Sequence, residues 1–251
     1  MCLNSSCANH IIERRRIWTQ KRVIKAVYHR WFEWIMELTV EGSILEIGGG
    51  IGGFKDYKPD SILTTDMIFS PWLDLVANGI SLPFSDRSFS NVIMIDVLHH
   101  ISRPESFLHE MQRVLRPGGR LIMLEPWITP FSYIFYRFFH LEFCSFDGDR
   151  WKPVMHINDV SKEYAANVTL PYRILKTWSD EDAGRFGLTL VNKRTFIALD
   201  WLLSRGFQPS SWISLRFLPW VRRFESLVSF ARSLCSTRVI AAFSREEQDT
   251  T

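Results

Sequence analysis

The sequence predicts an α/β fold built on a doubly wound, mostly parallel sheet. The clearest strand is the apolar run Ile44, Leu45 and Ile47, which is long enough for a buried strand and ends abruptly in glycines. Shorter strand-like runs follow at 61–65, 91–95 and 120–125, and an amphipathic helical pattern separates the last two. Alternation of strands and helices is typical of a parallel sheet covered by helices on both faces.

Length and composition limit the classes of protein to consider. The chain has 251 residues, enough for one elaborated domain with a full core, and 23% charged residues and 46% hydrophobic residues are ordinary for a globular protein. A net charge of +3 is too small to indicate nucleic-acid binding. The cysteines lack the paired spacing of a metal site, and we find neither a signal peptide nor a transmembrane segment. We therefore expect a reduced, cytoplasmic setting.

The glycines after the first strand predict a cofactor-binding loop. Gly48, Gly50 and Gly53 fit the G-x-G-x-x-G spacing of dinucleotide-binding proteins, so the glycines alone do not identify the cofactor. Glu46 lies two residues before the first glycine. A carboxylate there can accept hydrogen bonds from a cationic group, whereas it would gain nothing beside a pyrophosphate.

The same stretch resembles the first motif of the class I S-adenosylmethionine-dependent methyltransferases, an acid followed by three alternating glycines. The matching residues are Glu46, Gly48, Gly50 and Gly52. The resemblance implies a Rossmann-like, seven-stranded sheet whose last strand is antiparallel. It also implies S-adenosyl-L-methionine as the cofactor, whose ammonium group would face Glu46.

Asp66 is the second candidate cofactor ligand. It ends the β-branched run at 61–65 and lies 18 residues after Gly48. A carboxylate at this place in a Rossmann-like fold can accept hydrogen bonds from both hydroxyls of a ribose. We therefore expect Asp66, with Met67 beside it, to bind the nucleoside.

Two further stretches resemble family segments. In Asn78-Gly79-Ile80-Ser81-Leu82-Pro83-Phe84 the resemblance assigns Asn78 to the adenine edge and Ile80 to the ring, although most relatives carry Asp at the position of Asn78. Asp96-Val97-Leu98-His99-His100-Ile101 resembles the fourth-strand motif of small-molecule methyltransferases, including quinone-biosynthesis enzymes. The connector Leu115-Arg116-Pro117-Gly118-Gly119-Arg120-Leu121 resembles the family's link to strand five.

These patterns predict the following site. His100 and His99 are candidate bases that deprotonate the acceptor, and for His100 a purely structural role is equally compatible with the sequence. No metal is expected. The residues expected to bind the cofactor are Glu46, Ile47, Gly48, Gly50, Gly52, Asp66, Met67, Asn78, Gly79, Ile80, Asp96 and Val97.

Helical patterns complete the expected fold. Residues 11–39 predict one amphipathic helix, whose apolar face includes Tyr28 and Trp31. The family resemblance implies that a helix in this place covers the cofactor, so one of these two residues can contact it, but plain packing in the core explains both better. Ser102 and Glu105 have the spacing of a capping box for a helix that ends before Arg116. Residues 220–235 predict another amphipathic helix. Strand six is expected at 188–196 rather than 207–215, and a final strand is expected at 237–243.

The domain organisation follows from these elements. We expect a helical segment at 1–40, a cofactor-binding core at 41–127, an irregular aromatic insertion at 128–186 that caps the substrate, the C-terminal strands and helix at 187–245, and a tail at 246–251. A dense aromatic run begins at the end of the core and continues into the insertion. Its members are Trp127, Phe131, Tyr133, Phe135, Tyr136, Phe138, Phe139, Phe143 and Phe146.

The expected function is methyl transfer from S-adenosyl-L-methionine to a small, partly apolar acceptor through an oxygen, nitrogen or carbon nucleophile. The aromatic run motivates the apolar acceptor. A helix at 220–235 with arginines opposite its apolar face also allows peripheral contact with a membrane, but the same face can instead pack as part of a cap. Two alternatives remain open: an NAD-dependent oxidoreductase, and a protein that binds S-adenosylmethionine without turnover.

Overall fold

The structure is a computed structural model that describes residues 5–138, 143–157 and 165–246. Its centre is a seven-stranded sheet of order β3-β2-β1-β4-β5-β9-β8, and β6 and β7 form a separate pair. Neighbouring strands of the seven-stranded sheet are parallel except that β9 runs antiparallel to β5 and β8, which confirms the predicted fold class, and β6 and β7 pair antiparallel. The strands are β1 (Ile44–Ile47), β2 (Ile62–Asp66), β3 (Leu75–Val76), β4 (Phe89–Ile95), β5 (Leu115–Pro126), β6 (His156–Ile157), β7 (Ala165–Ala166), β8 (Leu188–Phe196) and β9 (Arg238–Arg245).

Helices cover both faces of the sheet. Because side chains alternate along a strand, Val92 and Met94 of β4 enter one core, with helices α4 and α6, while Ile93 enters the other core, with α2. The helices are α1 (Ser5–Gln20), α2 (Arg22–Met36), α3 (Gly53–Tyr57), α4 (Pro104–Val114), α5 (Pro130–Phe138), α6 (Leu170–Lys176), α7 (Asp180–Phe186), α8 (Leu199–Ser204), α9 (Leu218–Leu227) and α10 (Arg232–Cys235), with 3-10 turns at Leu98–His100, Leu215–Phe217 and Ser229–Ala231.

The N-terminal segment differs from the single predicted helix. It forms α1 and α2, with Lys21 between them in an extended conformation. The Lys21 ammonium lies within hydrogen-bond distance of four backbone carbonyls, that of Ser204 at the end of α8 and three in the segment after it, at distances of 2.6 to 3.0 Å. These contacts anchor the break between α1 and α2 to the end of α8.

The predicted capping box of α4 is wrong. Arg103, not Ser102, occupies the N-cap position, and it makes no side-chain cap. Pro104 is the first helical residue, and a proline there pushes the preceding residue away from helical geometry. A capping box does begin α7, where the Ser179 hydroxyl accepts from the Asp182 amide and the Asp182 carboxylate accepts from the Ser179 amide.

The second half of the chain is more regular than predicted. Within the segment 128–186, α6 and α7 contribute Leu170, Ile174 and Phe186 to the core of the main sheet. Strand β8 is located as predicted. The expected helix at 220–235 is wrong in extent, because α9 begins at Leu218, ends at Leu227, and is followed by separate short turns. Phe139 of the predicted aromatic run lies outside the described residues.

Within the described ranges, every helix is too short or too polar to cross a membrane.

Candidate active site

A cavity of about 300 Å³ opens at the carboxyl ends of β1, β2 and β4. Ligands of open α/β sheets bind at this edge. Most of the predicted site lines the cavity, as do residues of α1, α2, α5, α8 and β9. The predicted residues found there are Glu46, Ile47, Gly48, Gly50, Asp66, Met67, Gly79, Asp96, Val97, His99 and His100.

Glu46 lies beneath the glycine loop. The residue is 5% exposed, and within the described ranges its buried Oε2 atom has no hydrogen-bond partner. Burial, followed by repulsion from Asp66, raises the pKa of Glu46 to about 8. A buried acceptor of this kind requires a donor, so its chemistry fits a ligand with a cationic N–H group.

Asp66 connects the end of β2 to the same loop. Its two oxygens accept from the backbone amides of Gly50 and Ile68, both at 2.9 Å. Burial raises the pKa of Asp66, although these amide hydrogen bonds act in the opposite direction. Each carboxylate oxygen has a second lone pair, so Asp66 can still accept hydrogen bonds from a ligand.

Two glycines of the loop serve different purposes. At Gly50, where φ is +43°, a Cβ atom would have no neighbour nearer than 3.8 Å and would project into open space. At Gly48, a Cβ atom would come within 2.3 Å of Val97 Cγ2. Gly48 therefore permits close approach of the loop to the turn after β4, and Gly50 leaves room in the cavity.

Three predicted cofactor residues do not line the cavity. A Cβ atom on Gly52 would meet the Trp72 ring at 2.5 Å, so this glycine accommodates packing. Asn78 Oδ1 accepts from the Ile80 amide at 3.2 Å, and Ile80 packs against the core. The structure therefore gives each of these three residues a local contact outside the cavity lining.

The N-terminal helices close one side of the site. Tyr28 of α2 lines the cavity, whereas Trp31 lies behind it and packs near the guanidinium of Arg238. The Arg238 guanidinium carbon also lies 4.6 Å from the centre of the Trp201 ring. Arg238 is buried, and its side chain forms an ion pair with Asp96. Sequence analysis missed Arg238, a charged residue at the start of the apolar strand β9.

A second unpredicted residue, Glu125, holds the turn after β4. Its Oε1 atom accepts from the amides of Val97 and Leu98 at 2.8 and 2.7 Å. Its Oε2 atom lies 2.8 Å from Nδ1 of His99, and both side chains are buried. The rings of His99 and His100 are 4.1 Å apart. The sequence feature that could have identified Glu125 is its position, since it is a charged residue at the carboxyl end of an apolar strand.

Asp96, His99 and Glu125 place one potential metal ligand each within 4.8 Å of one another. Asp96 already pairs with a guanidinium, and Glu125 accepts from two amides and contacts His99. A nearby cation such as Arg238 disfavours a metal ion there. We interpret the cluster as a hydrogen-bonded network that shapes the turn.

Comparisons with known proteins agree with this geometry. Residues 61–123 match the model of a family described as a methyltransferase domain. A demethylmenaquinone methyltransferase from Tropheryma whipplei is 37% identical over 125 residues, covering 41% of this chain and 52% of that protein. The chain spans about half the length of the curated relatives it matches.

Solved structures share the fold at low identity. A geranyl diphosphate C-methyltransferase from Streptomyces coelicolor, solved with Mg²⁺, geranyl-S-thiolodiphosphate and S-adenosylhomocysteine, is 12% identical with a TM-score of 0.51, and the match covers 86% of this chain and 76% of that one. The cyclase SpnF is 17% identical with a TM-score of 0.50, covering 87% and 81%. The motif from Glu46 to Gly52 and the sheet order agree with the family match. The chain is therefore similar to methyltransferase domains over residues 61–123.

Proposed function

We propose that this protein transfers the methyl group of S-adenosyl-L-methionine to a small, partly apolar acceptor. The observation that carries the proposal is the buried Oε2 atom of Glu46, which has no hydrogen-bond partner among the residues that the structure describes and lies beneath the glycine loop. When bound, the cofactor supplies an electrophilic methyl group. The protein's contribution is to bind the two reactants, align them and exclude water.

The cofactor half of the cavity offers hydrogen-bond acceptors for the donor groups of S-adenosyl-L-methionine. Glu46 would hold the ammonium group, and Asp66 would accept from the ribose hydroxyls. Ala77, Gly79 and Met67 would border the base. Asn78, Gly52 and Ile80 keep only supporting roles in this proposal, because they lie outside the cavity lining.

The acceptor half is mainly aromatic. Tyr28, Tyr136, Trp201 and Phe207 line it together with Arg238, whose charge is balanced by Asp96. An apolar wall with a few fixed polar groups suits an acceptor that is itself mostly apolar. The name of the Tropheryma whipplei relative, a demethylmenaquinone methyltransferase, is consistent with such an acceptor.

Two histidines border the cavity and are candidate proton acceptors. His100 is half-buried, while His99 is buried and contacts Glu125 through Nδ1. The Glu125 carboxylate at Nδ1 fixes the orientation of the His99 imidazole. We assign proton removal from the acceptor to this pair, with His100 as the first candidate because it is the more exposed of the two cavity-lining rings. A cytoplasmic location with peripheral membrane contact completes the proposal.

Neither alternative function gains support. The oxidoreductase would place a pyrophosphate near Glu46, where a carboxylate repels it. A protein that binds the cofactor without turnover would share every contact described here. Only a measurement of methyl transfer distinguishes such a protein from an enzyme. The shared fold of the cyclase SpnF underlines that fold alone does not determine activity.

The test combines binding with turnover. Calorimetry should show S-adenosylmethionine binding to the parent and at least about tenfold weaker binding to Asp66→Ala, because the ribose acceptor is lost. Release of S-adenosylhomocysteine is then followed with quinols, phenols and prenyl compounds as acceptors. Binding without release across this panel would favour the silent protein, and absence of binding would reject the proposal.

A further inference from the structure

Helix α9 exposes large apolar side chains and buries a charged one, which is the opposite of an ordinary surface helix. Its buried residues are Leu218 and the charged Glu225. Trp220 is 70% exposed, and Leu227 is 68% exposed. A surface helix normally buries its apolar stripe, so the outward apolar side chains require an explanation.

A polar cluster fixes this orientation. Glu225 accepts from Arg30 at 2.8 Å and from the Asp200 amide at 3.1 Å. Arg222 donates to the Asp200 carboxylate at 3.2 Å and to the Ala26 carbonyl at 2.8 Å. Rotating α9 to bury its apolar stripe would remove these contacts and leave Asp200 buried without Arg222. The apolar stripe is therefore held outward by the fold.

The exposed stripe belongs to a larger surface, which we name the apolar face. It extends from α9 to the segment before it, to α10, and to α5, which packs against α10. These elements expose large aromatic and aliphatic side chains. The members of the apolar face are Phe131, Ile134, Phe138, Trp212, Leu215, Phe217, Trp220, Phe224, Leu227, Phe230 and Leu234.

The charge around the apolar face has one sign. Residues 205–234 contain five arginines and a single acid, Glu225, which is buried and paired with Arg30. Arg205 lies 5.3 Å from the centre of the Trp212 ring, and Arg216 lies 4.8 Å from that of Phe217. Exposed arginines interleaved with Trp and Phe complement an apolar layer bordered by anionic groups.

We propose that the apolar face docks on an anionic lipid bilayer. Exposed apolar side chains bordered by arginines complement an apolar layer with an anionic surface, and the arginine stems can extend toward lipid phosphates. This inference goes beyond the proposed methyl transfer, because docking requires no cofactor. It also has a geometric link to the cavity. Helix α5 turns Tyr136 toward the cavity and Ile134 toward solvent, so the docked surface would border the acceptor half.

The experiment measures partition of the full chain onto vesicles of phosphatidylcholine with about 30% phosphatidylglycerol, by sedimentation at about 0.1 M salt. We expect the parent to bind, with weaker binding to phosphatidylcholine alone. Trp220→Ser with Phe230→Ser should lower the partition coefficient at least about tenfold. Arg216→Glu with Arg223→Glu should lower it by a similar factor, and only on the anionic vesicles.

Matched controls lie outside the apolar face. Val76→Ser on edge strand β3 and Arg87→Glu before β4 change exposed residues of the same classes and should leave the partition unchanged. Circular dichroism confirms folding of every variant. Failure of the parent to bind anionic vesicles, or equal loss in the controls, would overturn the proposal. So would concentration-dependent dimerisation that Trp220→Ser abolishes, because the apolar face would then belong to a second copy.

Discussion

Arg238 forms an ion pair with Asp96 that links the first residue of β9 to the residue directly after β4. The Arg238 side chain is 4% exposed and that of Asp96 is 28% exposed. Asp96 adopts a left-handed backbone conformation with φ of +57°. An unfavourable backbone geometry persists only where the surroundings fix it, and this pair is one of the contacts that do so.

We expect Arg238→Met to destabilise the fold by about 2 kcal/mol, because it leaves the Asp96 carboxylate without its cation. The expected value is below that of a fully buried pair, since water reaches Asp96. Chemical denaturation of the parent, Arg238→Met, Asp96→Asn and the double variant measures the coupling. Additive effects of the two substitutions would show that the pair contributes nothing of its own.

The Glu46 carboxyl should release a proton when S-adenosylmethionine binds. With its pKa raised to about 8, it is largely protonated at pH 7 in the free protein. An ammonium group beside it stabilises the carboxylate. Calorimetry in two buffers of different ionisation enthalpy should give close to one proton released at pH 7. Glu46→Gln should bind more weakly and release none, and identical enthalpies in both buffers for the parent would contradict the assignment.

The same group should make the stability of the cofactor-free protein depend on pH. The pKa of Glu46 is higher in the folded protein than its ordinary value of 4.5. The contribution of Glu46 to the free energy of unfolding is therefore fully present below about pH 4.5, and it is lost as the pH rises through about 8. Glu46→Gln does not titrate, so the stability difference between parent and variant should shift in favour of the variant from pH 5 to pH 9. Denaturant unfolding at each pH measures that difference, and a constant difference would be the contrary result.

Gly50 and Gly118 provide a matched pair for testing the glycine loop. Both have positive φ, +43° and +74°, and an added Cβ atom meets nothing nearer than 3.8 Å at either position. Valine at either position should therefore cost backbone strain of about 1–2 kcal/mol. Only Gly50→Val should also abolish cofactor binding, because only Gly50 lines the cavity. Equal affinity in the two variants, measured by calorimetry, would remove Gly50 from the site.

Short spacing in the sequence was enough to predict which residues of neighbouring strands the structure brings together at the cavity. Glu46, Gly48 and Gly50 lie on one strand and its loop, and Asp66 follows at the end of the next strand, so periodicity and spacing place them at the same edge of the sheet. Arg238 reaches Asp96 across 142 positions, and that contact depends on strand order. Glu125 reaches Val97 in the same way, from the neighbouring strand.

Helix α9 shows a second reason why the sequence alone did not predict the whole structure. Its apolar stripe was visible as a three- and four-residue repeat, but the repeat does not say which face is buried. Arg30 on α2 decides this, because Glu225 gains a hydrogen-bonded cation only when the stripe faces outward. Similarly, the start of α4 depended on Pro104 rather than on the nearby serine and glutamate.

The two adjacent histidines should differ in what their loss affects. His99 is 2% exposed and contacts Glu125, which also holds the amides of Val97 and Leu98. His99→Ala should lower the free energy of unfolding by about 1–3 kcal/mol, because a buried carboxylate loses a hydrogen-bond partner. His100→Ala should leave stability and cofactor affinity nearly unchanged and lower turnover about a hundredfold, as removal of a general base does. Unfolding curves, calorimetry and initial rates on the same two variants separate these roles. Full turnover in His100→Ala, with normal cofactor affinity, would leave His100 as a packing residue and return the role of base to His99.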